Sequence, residues 1–461
     1  MKNETITRGK QKPMKKKLAA GTFAFALGAA SLLGSAVSAE ETVASKEDYI
    51  VVFKNQNSLP TGYENVLANA GGEVKTKLAK LGAVEVSSSN PNFLAEVQKS
   101  SAVLDADPER VIYPEAPAVA EAAATEAIGD GADLYNAYQW DIKQVTQNGV
   151  SWNLPGGSGK SVDGNDIVVA VIDTGIDYNH PDLKDNYAYG KSFVPGYPDA
   201  MDENSHGTHV AGAIAANGRT MGVGPDLKVA AYRVFGPTGG ASTASIAEAL
   251  RTAADDNVDV VNMSLGGYDW LQDPEQKTSD IAADMRLFNR VIQYAIQQGV
   301  TVVGSSGNNS LDITSPGKMS GDDGGATHRS PSSQTMIRVS AGGAAKNLAY
   351  YSNYGVGKID VMAPGGDLGP NYDPVTKTGR DNSYLSYATI PGGKYGYKAG
   401  TSMAAPKVAG LAGVIIAQHG KDKLKPAQVK HIIQSSSEDV FKTGYDKYSG
   451  FGLIDAVDAL D

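Results

Sequence analysis

Three stretches of this 461-residue chain carry side chains whose types and spacing could do chemistry. The first, Gly400-Thr401-Ser402-Met403-Ala404-Ala405-Pro406, sets a serine ahead of an apolar run from Val408 to Ile416, which predicts a buried helix ending near Gly420. In the first turn of that helix Ser402 meets unpaired backbone N–H groups and the positive end of the helix dipole. Such surroundings suit a hydroxyl that attacks a carbonyl and leaves an oxyanion behind. Taken alone, a serine at that place is more often a cap that satisfies the helix end. The second stretch, Ile167 to Asp177, is apolar on both faces until it stops at Asp173-Thr174-Gly175. It predicts a central parallel strand with a carboxylate at its C-terminal end, where open α/β sheets place their sites. The third, His206-Gly207-Thr208-His209-Val210-Ala211-Gly212, has a histidine opening a small-residue helix. Together they supply an orienting acid, a base and a nucleophile in the order Asp173, His206, Ser402.

Asp173-Thr174-Gly175, His206-Gly207-Thr208-His209 and Gly400-Thr401-Ser402-Met403-Ala404 resemble the three active-site signatures of the subtilisin-like serine proteases, the subtilase family, and the likeness runs from about Trp140 to the C-terminus. The resemblance implies a serine endopeptidase working through an acyl-enzyme on Ser402, on a three-layer α/β/α fold with a mostly parallel central sheet. Asn308, just beyond a predicted strand at Val300 to Ser305, can donate its amide N–H to the developing oxyanion beside the backbone N–H of Ser402. Asn309 takes that place if the loop is displaced by one residue. His206 and His209 could also be a pair of metal ligands, but the His-Glu-x-x-His of zinc proteases is lacking, and His209 reads as a structural residue. His180 is expected in a turn, facing solvent or bonded to its loop. Asp177, past the Gly175 turn, is expected to make a structural hydrogen bond.

Substrate is expected to lie extended, adding a strand between two walls. Ser264-Leu265-Gly266-Gly267 resembles one wall of the family's cleft. The other is Gly236 to Ala241, where Gly239 and Gly240 let a backbone come close. Contacts of this kind read peptide backbone, so they imply a peptide or protein substrate, and the chemistry needs no cofactor. A structural calcium is a separate question. The loop from Asn217 to Gly224 is shorter than the family's calcium-binding loop and carries Arg219, which leaves Asp182 as the candidate calcium ligand. The segment from Gly366 to Tyr397 is long for the family and holds Tyr372, Tyr384, Tyr387 and Tyr395 among Gly and Pro. A long loop near a nucleophile is usually functional, and this one is expected to narrow substrate choice, as in proteases that trim one secreted peptide.

The elements that must position these groups follow a strand-helix rhythm. Strands are expected at Ile167 to Ile172, Lys228 to Val234, Val258 to Ser264 and Val300 to Ser305, and helices from His206, from a Ser245/Glu248 capping box to near Asn257, and from Ser279 to Gln298. Upstream, Asp48 to Ile112 reads as a β-α-β-β-α-β unit whose last strand is Val111-Ile112, a small α+β ferredoxin-like domain. The family resemblance makes it a propeptide that inhibits the enzyme until removed. Residues 1–39 have a basic start, an uncharged Ala-, Gly- and Ser-rich stretch and a small-residue exit at Val37 and Ala39, the pattern of a secretory signal peptide rather than a membrane anchor. The expected organisation is signal peptide 1–39, propeptide 40–114, linker 115–134 with the processing site between Ile112 and Tyr135, and peptidase domain 135–461.

Composition narrows the functional classes. The chain contains no cysteine, which excludes disulfides, thiolate metal sites and a cysteine nucleophile. A net charge of −10 leaves no phosphate-binding excess and argues against nucleic acid as a partner. The expectation is a monomer exported from a Gram-positive type of cell, without a stable membrane anchor. Within the enzyme class, a broad scavenging protease and a single-target processing protease both fit. A silent binding protein on the same fold is the rival from another class, and the intact Asp173, His206, Asn308 and Ser402 speak against it.

Overall fold

The computed structural model describes residues 45–114, 122–123, 133–265, 270–272, 282–314, 327–329, 336–373 and 375–461. The expected signal peptide and most of the expected linker lie outside them. No helix among the described residues is long and apolar enough to cross a membrane.

The N-terminal lobe comprises β1 (Glu47–Phe53), α1 (Tyr63–Asn69), β2 (Gly72–Leu78), β3 (Ala83–Ser88), α2 (Phe93–Val97) and β4 (Val103–Pro108), with the antiparallel sheet order β2-β3-β1-β4. This is the ferredoxin-like arrangement. The period-two alternation of β1 decides what each face covers. Tyr49, Val51 and Phe53 pack with Leu67, Phe93 and Val97 of the lobe's own helices, while Ile50 and Val52 point the other way, into a core shared with the larger part of the chain. The closing strand is β4, not Val111-Ile112 as its sequence suggests. Pro108 still pairs with Tyr49 and Glu109 N donates to Asp48 O at 2.8 Å, after which the chain leaves the lobe as β5 (Val111–Ile112), where Ile112 is buried against the larger domain.

From β6 (Ala122–Ala123) the chain continues through α3 (Leu134–Tyr138), α4 (Trp140–Thr146), β7 (Val168–Asp173), β8 (Tyr187–Ser192), α5 (His206–Ala215), β9 (Lys228–Arg233), β10 (Ala241–Ser242), α6 (Thr243–Asp255) and β11 (Val260–Met263). A two-stranded ribbon of β12 (Trp270–Gln272) and β14 (Thr327–Arg329) flanks α7 (Ala282–Gln297) and β13 (Thr301–Ser305) in sequence. The remainder is β15 (Ile337–Gly342), β16 (Val361–Pro364), β17 (Ser386–Ile390), β18 (Lys394–Lys398), α8 (Thr401–His419) and α9 (Pro426–Ser435). The central sheet runs β16-β15-β13-β11-β7-β9-β8 with every neighbouring pair parallel.

Parallel strands covered on both faces need apolar residues at every position. Val169, Val171, Val229 and Ala231 meet α5 and α8 on one face; Ala170, Ile172, Ala230 and Tyr232 meet α6 and α7 on the other. The sheet of the N-terminal lobe lies over α6 and α7, so Ile50 and Val52 join that second core.

Two local expectations are corrected. Helix α6 is capped by Ser242, whose hydroxyl accepts from Ser245 N–H at 3.1 Å, three residues before the Ser245/Glu248 box. Ser242 is still extended as it leaves β10, so the first free N–H groups fall within its reach rather than that of Ser245. The 366–397 segment is not an open loop over the nucleophile. Its second half is the β17–β18 hairpin, which with β6 makes a three-stranded sheet packed on the back of α5, where Thr389 donates to Thr208 O at 2.8 Å.

Candidate active site

The carboxyl edge of the sheet gathers the polar residues. In the order β13-β11-β7, neighbouring strands end at Ser305, Met263 and Asp173, so Asn308, Ser264 and Asp173 issue from adjacent strand ends. Helices α5 and α8, which pack against each other, open at that edge with His206 and with Thr401-Ser402.

Asp173 is fully buried, and its carboxylate oxygens lie 2.8 and 2.9 Å from His206 Nδ1. A ring nitrogen this close to a carboxylate donates to it, which leaves Nε2 of the neutral imidazole as the proton acceptor. Nε2 is buried and has no hydrogen-bond partner among the described residues. Several contacts hold this pair. Thr174 N donates to Asp173 Oδ1 at 2.7 Å, and Thr174 Oγ1 accepts from Gly207 N at 2.9 Å. A Cβ on Gly207 would sit 2.1 Å from Gly175 O, so glycine is required for α5 to approach β7 closely enough. Asp202, which the sequence reading did not single out, pins the helix start. It accepts from Asn204 N, Ser205 N, Thr208 N, Thr208 Oγ1 and Thr174 Oγ1. Ser205 is thereby held at φ 91°, a conformation that costs a non-glycine residue about 1–3 kcal/mol and aims the next residue, His206, at the sheet. The signal for Asp202 was present, an acid placed for an Asx-type turn just before a helix.

Ser402 is buried in the first turn of α8. Pro406 lies four residues on and offers no N–H to Ser402 O, so the helical bond that should satisfy this carbonyl does not exist. Ser264 replaces it, its hydroxyl donating to Ser402 O at 2.8 Å while accepting from Asn262 Nδ2 at 2.9 Å. The Ser402 hydroxyl in turn lies 3.5 Å from Ser264 O. Asn308 Oδ1 accepts from Thr401 N at 2.9 Å and Thr401 Oγ1 at 3.0 Å, which fixes the amide so that its NH₂ end turns away from that backbone. That NH₂ end lies beside Gly400, where a Cβ would meet Nδ2 at 3.1 Å. Asn309 N is instead tied to Asn353 Oδ1 at 3.0 Å.

The other polar candidates are spent on structure. His209 is fully buried and donates Nε2–H to Gly396 O at 3.2 Å. Burial, reinforced by the nearby Lys398 and Lys407, holds its pKa well below the ordinary imidazole range, so it stays neutral. His180 is buried rather than solvent-facing, between Lys394 O and Asp182 N, and burial lowers its pKa also. Asp177 accepts from Asn179 N and Gly392 N. Asp182 accepts from Thr220 N at 2.8 Å, Thr220 Oγ1 at 2.7 Å and Tyr395 OH at 3.2 Å, and the Arg219 guanidinium stacks 5.4 Å over the Tyr395 ring. A calcium ion takes six to eight oxygen ligands. Here the carboxylate is met by N–H and O–H donors, so these residues do not fit an ion.

The walls read as a substrate cleft hold the chain itself. β5 pairs antiparallel with β10, Ile112 opposite Ala241 and Val111 opposite Ser242, and Pro114 bridges to Leu265 on the other side. Arg110 O accepts from Thr243 N at 3.2 Å. A Cβ at Gly240 would lie 2.5 Å from Ile112 O, so this close approach demands glycine. Gly239 sits in the preceding turn at φ 99°, and Gly266 lies outside the described residues. The arrangement can hold an extended peptide at the edge where α8 opens with the Ser402 hydroxyl and α5 with the His206–Asp173 pair.

A family model described as the subtilase family matches residues 164–452. A thermophilic serine proteinase of Bacillus sp. (strain AK1) is 33% identical over 331 residues, 71% of this chain and 68% of that protein. An alkaline protease of Alkalihalobacillus alcalophilus is 29% identical over 452 residues, 97% of this chain and 98% of that one. Among solved structures, the nisin leader peptidase NisP of Lactococcus lactis aligns with a TM-score of 0.58 at 28% identity, covering 72% of this chain and 95% of that one. The epidermin leader peptide processing protease EpiP of Staphylococcus aureus aligns with a TM-score of 0.72 at 23% identity, covering 90% and 98%, a likeness of fold.

Proposed function

The chain belongs to the subtilase family and is a serine endopeptidase, and on that premise we propose that it is exported as a self-cleaving zymogen whose mature form trims the leader from a secreted peptide. In this reading the Ser402 hydroxyl attacks the substrate carbonyl carbon and gives its proton to His206 Nε2, while Asp173 stabilises the imidazolium. The tetrahedral oxyanion receives the Asn308 amide and the Ser402 backbone N–H. His206 then passes the proton to the departing amine, the C–N bond breaks, and water, activated by the same imidazole, releases the acyl group and restores the serine.

One observation carries the zymogen reading. Val111 to Pro114 runs as an extended strand between β10 and Leu265, in the manner of a bound peptide. Leu265 is preceded by Ser264, which touches Ser402. Pro114, the last residue described before the linker, thus lies one pair from Ser264 in an antiparallel bridge, and on this reading the first cut falls early in the 115–134 segment. The N-terminal lobe stays over α6 and α7 after that cut and acts as an intramolecular inhibitor until it dissociates. The processing role draws on the nisin leader peptidase, 28% identical to this chain, and Ile112 adds to it, since a buried aliphatic side chain beside Leu265 and Ala241 selects substrate sequence.

Mass spectrometry of purified wild type beside Ser402→Ala tests the first part. Wild type loses its N-terminal region to a single new terminus shortly after Pro114, and the variant stays whole; shedding by both variants, or a terminus beyond Tyr135, defeats the reading. Digestion of a mixed protein pool tests the second. A processing enzyme leaves most of the pool intact and cuts at few sites, whereas broad digestion points to a scavenging protease.

A further inference from the structure

We propose that Lys407 is a positioning residue that straps the nucleophile's turn of α8 to α4 and β17, replacing rigidity that Pro406 removes from that turn. The inference rests on the assignment of Ser402 as nucleophile. A proline inside a helix deletes one backbone hydrogen bond and its ring presses on the carbonyl four residues back, so the turn from Ser402 to Pro406 lacks one of its helical bonds. Lys407, the next residue, is fully buried, and its ammonium finds three acceptors for its three N–H bonds: Asp141 Oδ2 at 2.8 Å, Met403 O at 3.0 Å and Ser386 Oγ at 3.1 Å. Ser386 in turn donates to the same Asp141 oxygen.

The three acceptors belong to three different elements. Met403 adjoins the nucleophile, Asp141 lies in α4, and Ser386 opens β17, whose hairpin backs the His206 helix. Lys407 thus fixes the carbonyl beside Ser402 relative to both α4 and the sheet behind the His206 helix. Burying an ammonium and a carboxylate is expensive, and a well-packed apolar replacement of such a pair is often as stable as the pair itself. A contribution to stability alone would therefore be matched by an apolar trio, whereas a contribution to placement would not. Reacting groups displaced by about 1 Å lose rate on the order of 100-fold.

The test uses the full chain and its own intramolecular cleavage, which reads the chemical step without a substrate-binding term. The triple variant Lys407→Met, Asp141→Leu, Ser386→Ala removes both charges and the hydroxyl together. Its thermal unfolding, measured with Ser402→Ala also present, stays close to that of Ser402→Ala alone. Its processing rate falls at least about tenfold, and labelling of Ser402 by a serine-directed phosphonate slows in step. Ser386→Ala by itself, which removes one acceptor of the three, slows processing by a few-fold and serves if the triple variant does not fold. Processing at the wild-type rate in a folded triple variant, or in Ser386→Ala, overturns the proposal. Cleavage that persists in Ser402→Ala would instead overturn the assignment of the nucleophile beneath it.

Discussion

Replacing Ser264 by alanine tests how the nucleophile's turn is held together. Ser264, Asn262 and Ser402 are all buried, and the Ser264 hydroxyl serves two of them, donating to Ser402 O and accepting from Asn262 Nδ2. Alanine removes the Ser264 donor from the Ser402 carbonyl, to which Pro406 offers no helical N–H. Each of the two buried hydrogen bonds lost is worth about 0.5–1.5 kcal/mol, so Ser264→Ala destabilises by roughly 1–3 kcal/mol. Alanine at position 406 restores an N–H at the right place in the helix. In that background Ser264→Ala therefore costs only the Asn262 share, and the two substitutions couple by the Ser402 share, about 0.5–1.5 kcal/mol. Urea unfolding of the four members of the cycle, each also carrying Ser402→Ala to prevent self-digestion, measures this directly. The intramolecular processing rate with Ser402 intact follows the same pattern, falling by about 10–100-fold in Ser264→Ala and recovering in part with Pro406→Ala. Additivity within about 0.3 kcal/mol would show that the serine does not stand in for the missing helical bond.

Asn308→Ala removes the proposed oxyanion donor and the tether to Thr401 together, and lowers kcat by about 10²–10³, the size established for such a donor in this enzyme family, with little change in KM; a comparable loss from Asn309→Ala instead would move the role by one residue. Gly207→Ala, forced against Gly175 O, separates His206 from Asp173 and leaves the protein folded but uncleaved, as gel analysis of the purified chain would reveal. Glu109 sits where the N-terminal lobe meets α6, accepting from Ala244 N, with carboxylate oxygens of Asp48 and Glu85 within 4.8 Å and Lys75 bridging those two. Burial first, then Glu85, push its pKa up from 4.5 to about 8. The docked lobe thus favours the protonated form, and its grip is full below the free value and lost as pH climbs through about 8. The cleaved lobe should dissociate faster as pH rises from weakly acidic to weakly alkaline, and Glu109→Gln should flatten that dependence; an affinity that increases with pH contradicts it. Since donors rather than ligands face Asp182, chelator leaves the unfolding temperature unchanged, while Tyr395→Phe lowers it; a marked fall on chelation would establish an ion at that corner.

Much of the fold could be read from the chain because its signals are local. The unbroken apolar run from Ile167 to Ile172 can exist only where helices cover both faces of a sheet, and the run from Val408 to Ile416 only inside a core. The three small-residue signatures name the chemistry for a similar reason. A glycine such as Gly207 is written into the sequence wherever two backbones must nearly touch. What the chain order could not reveal are partnerships between distant residues whose own neighbourhoods look ordinary. Val111-Ile112 has the pattern of a last strand for its lobe, yet it pairs with β10, because a strand's periodicity says which face is apolar and nothing about which edge it will join. Lys407 looks like a surface residue by type and becomes a buried strap only when Asp141 and Ser386 arrive from far along the chain. Ser264 likewise matters through a carbonyl to which a proline offers no N–H. Local composition sets the elements and the reactive groups; the tertiary structure alone decides which hydrogen-bond partners each buried group finds, since that depends on geometry between segments that no short window of sequence contains.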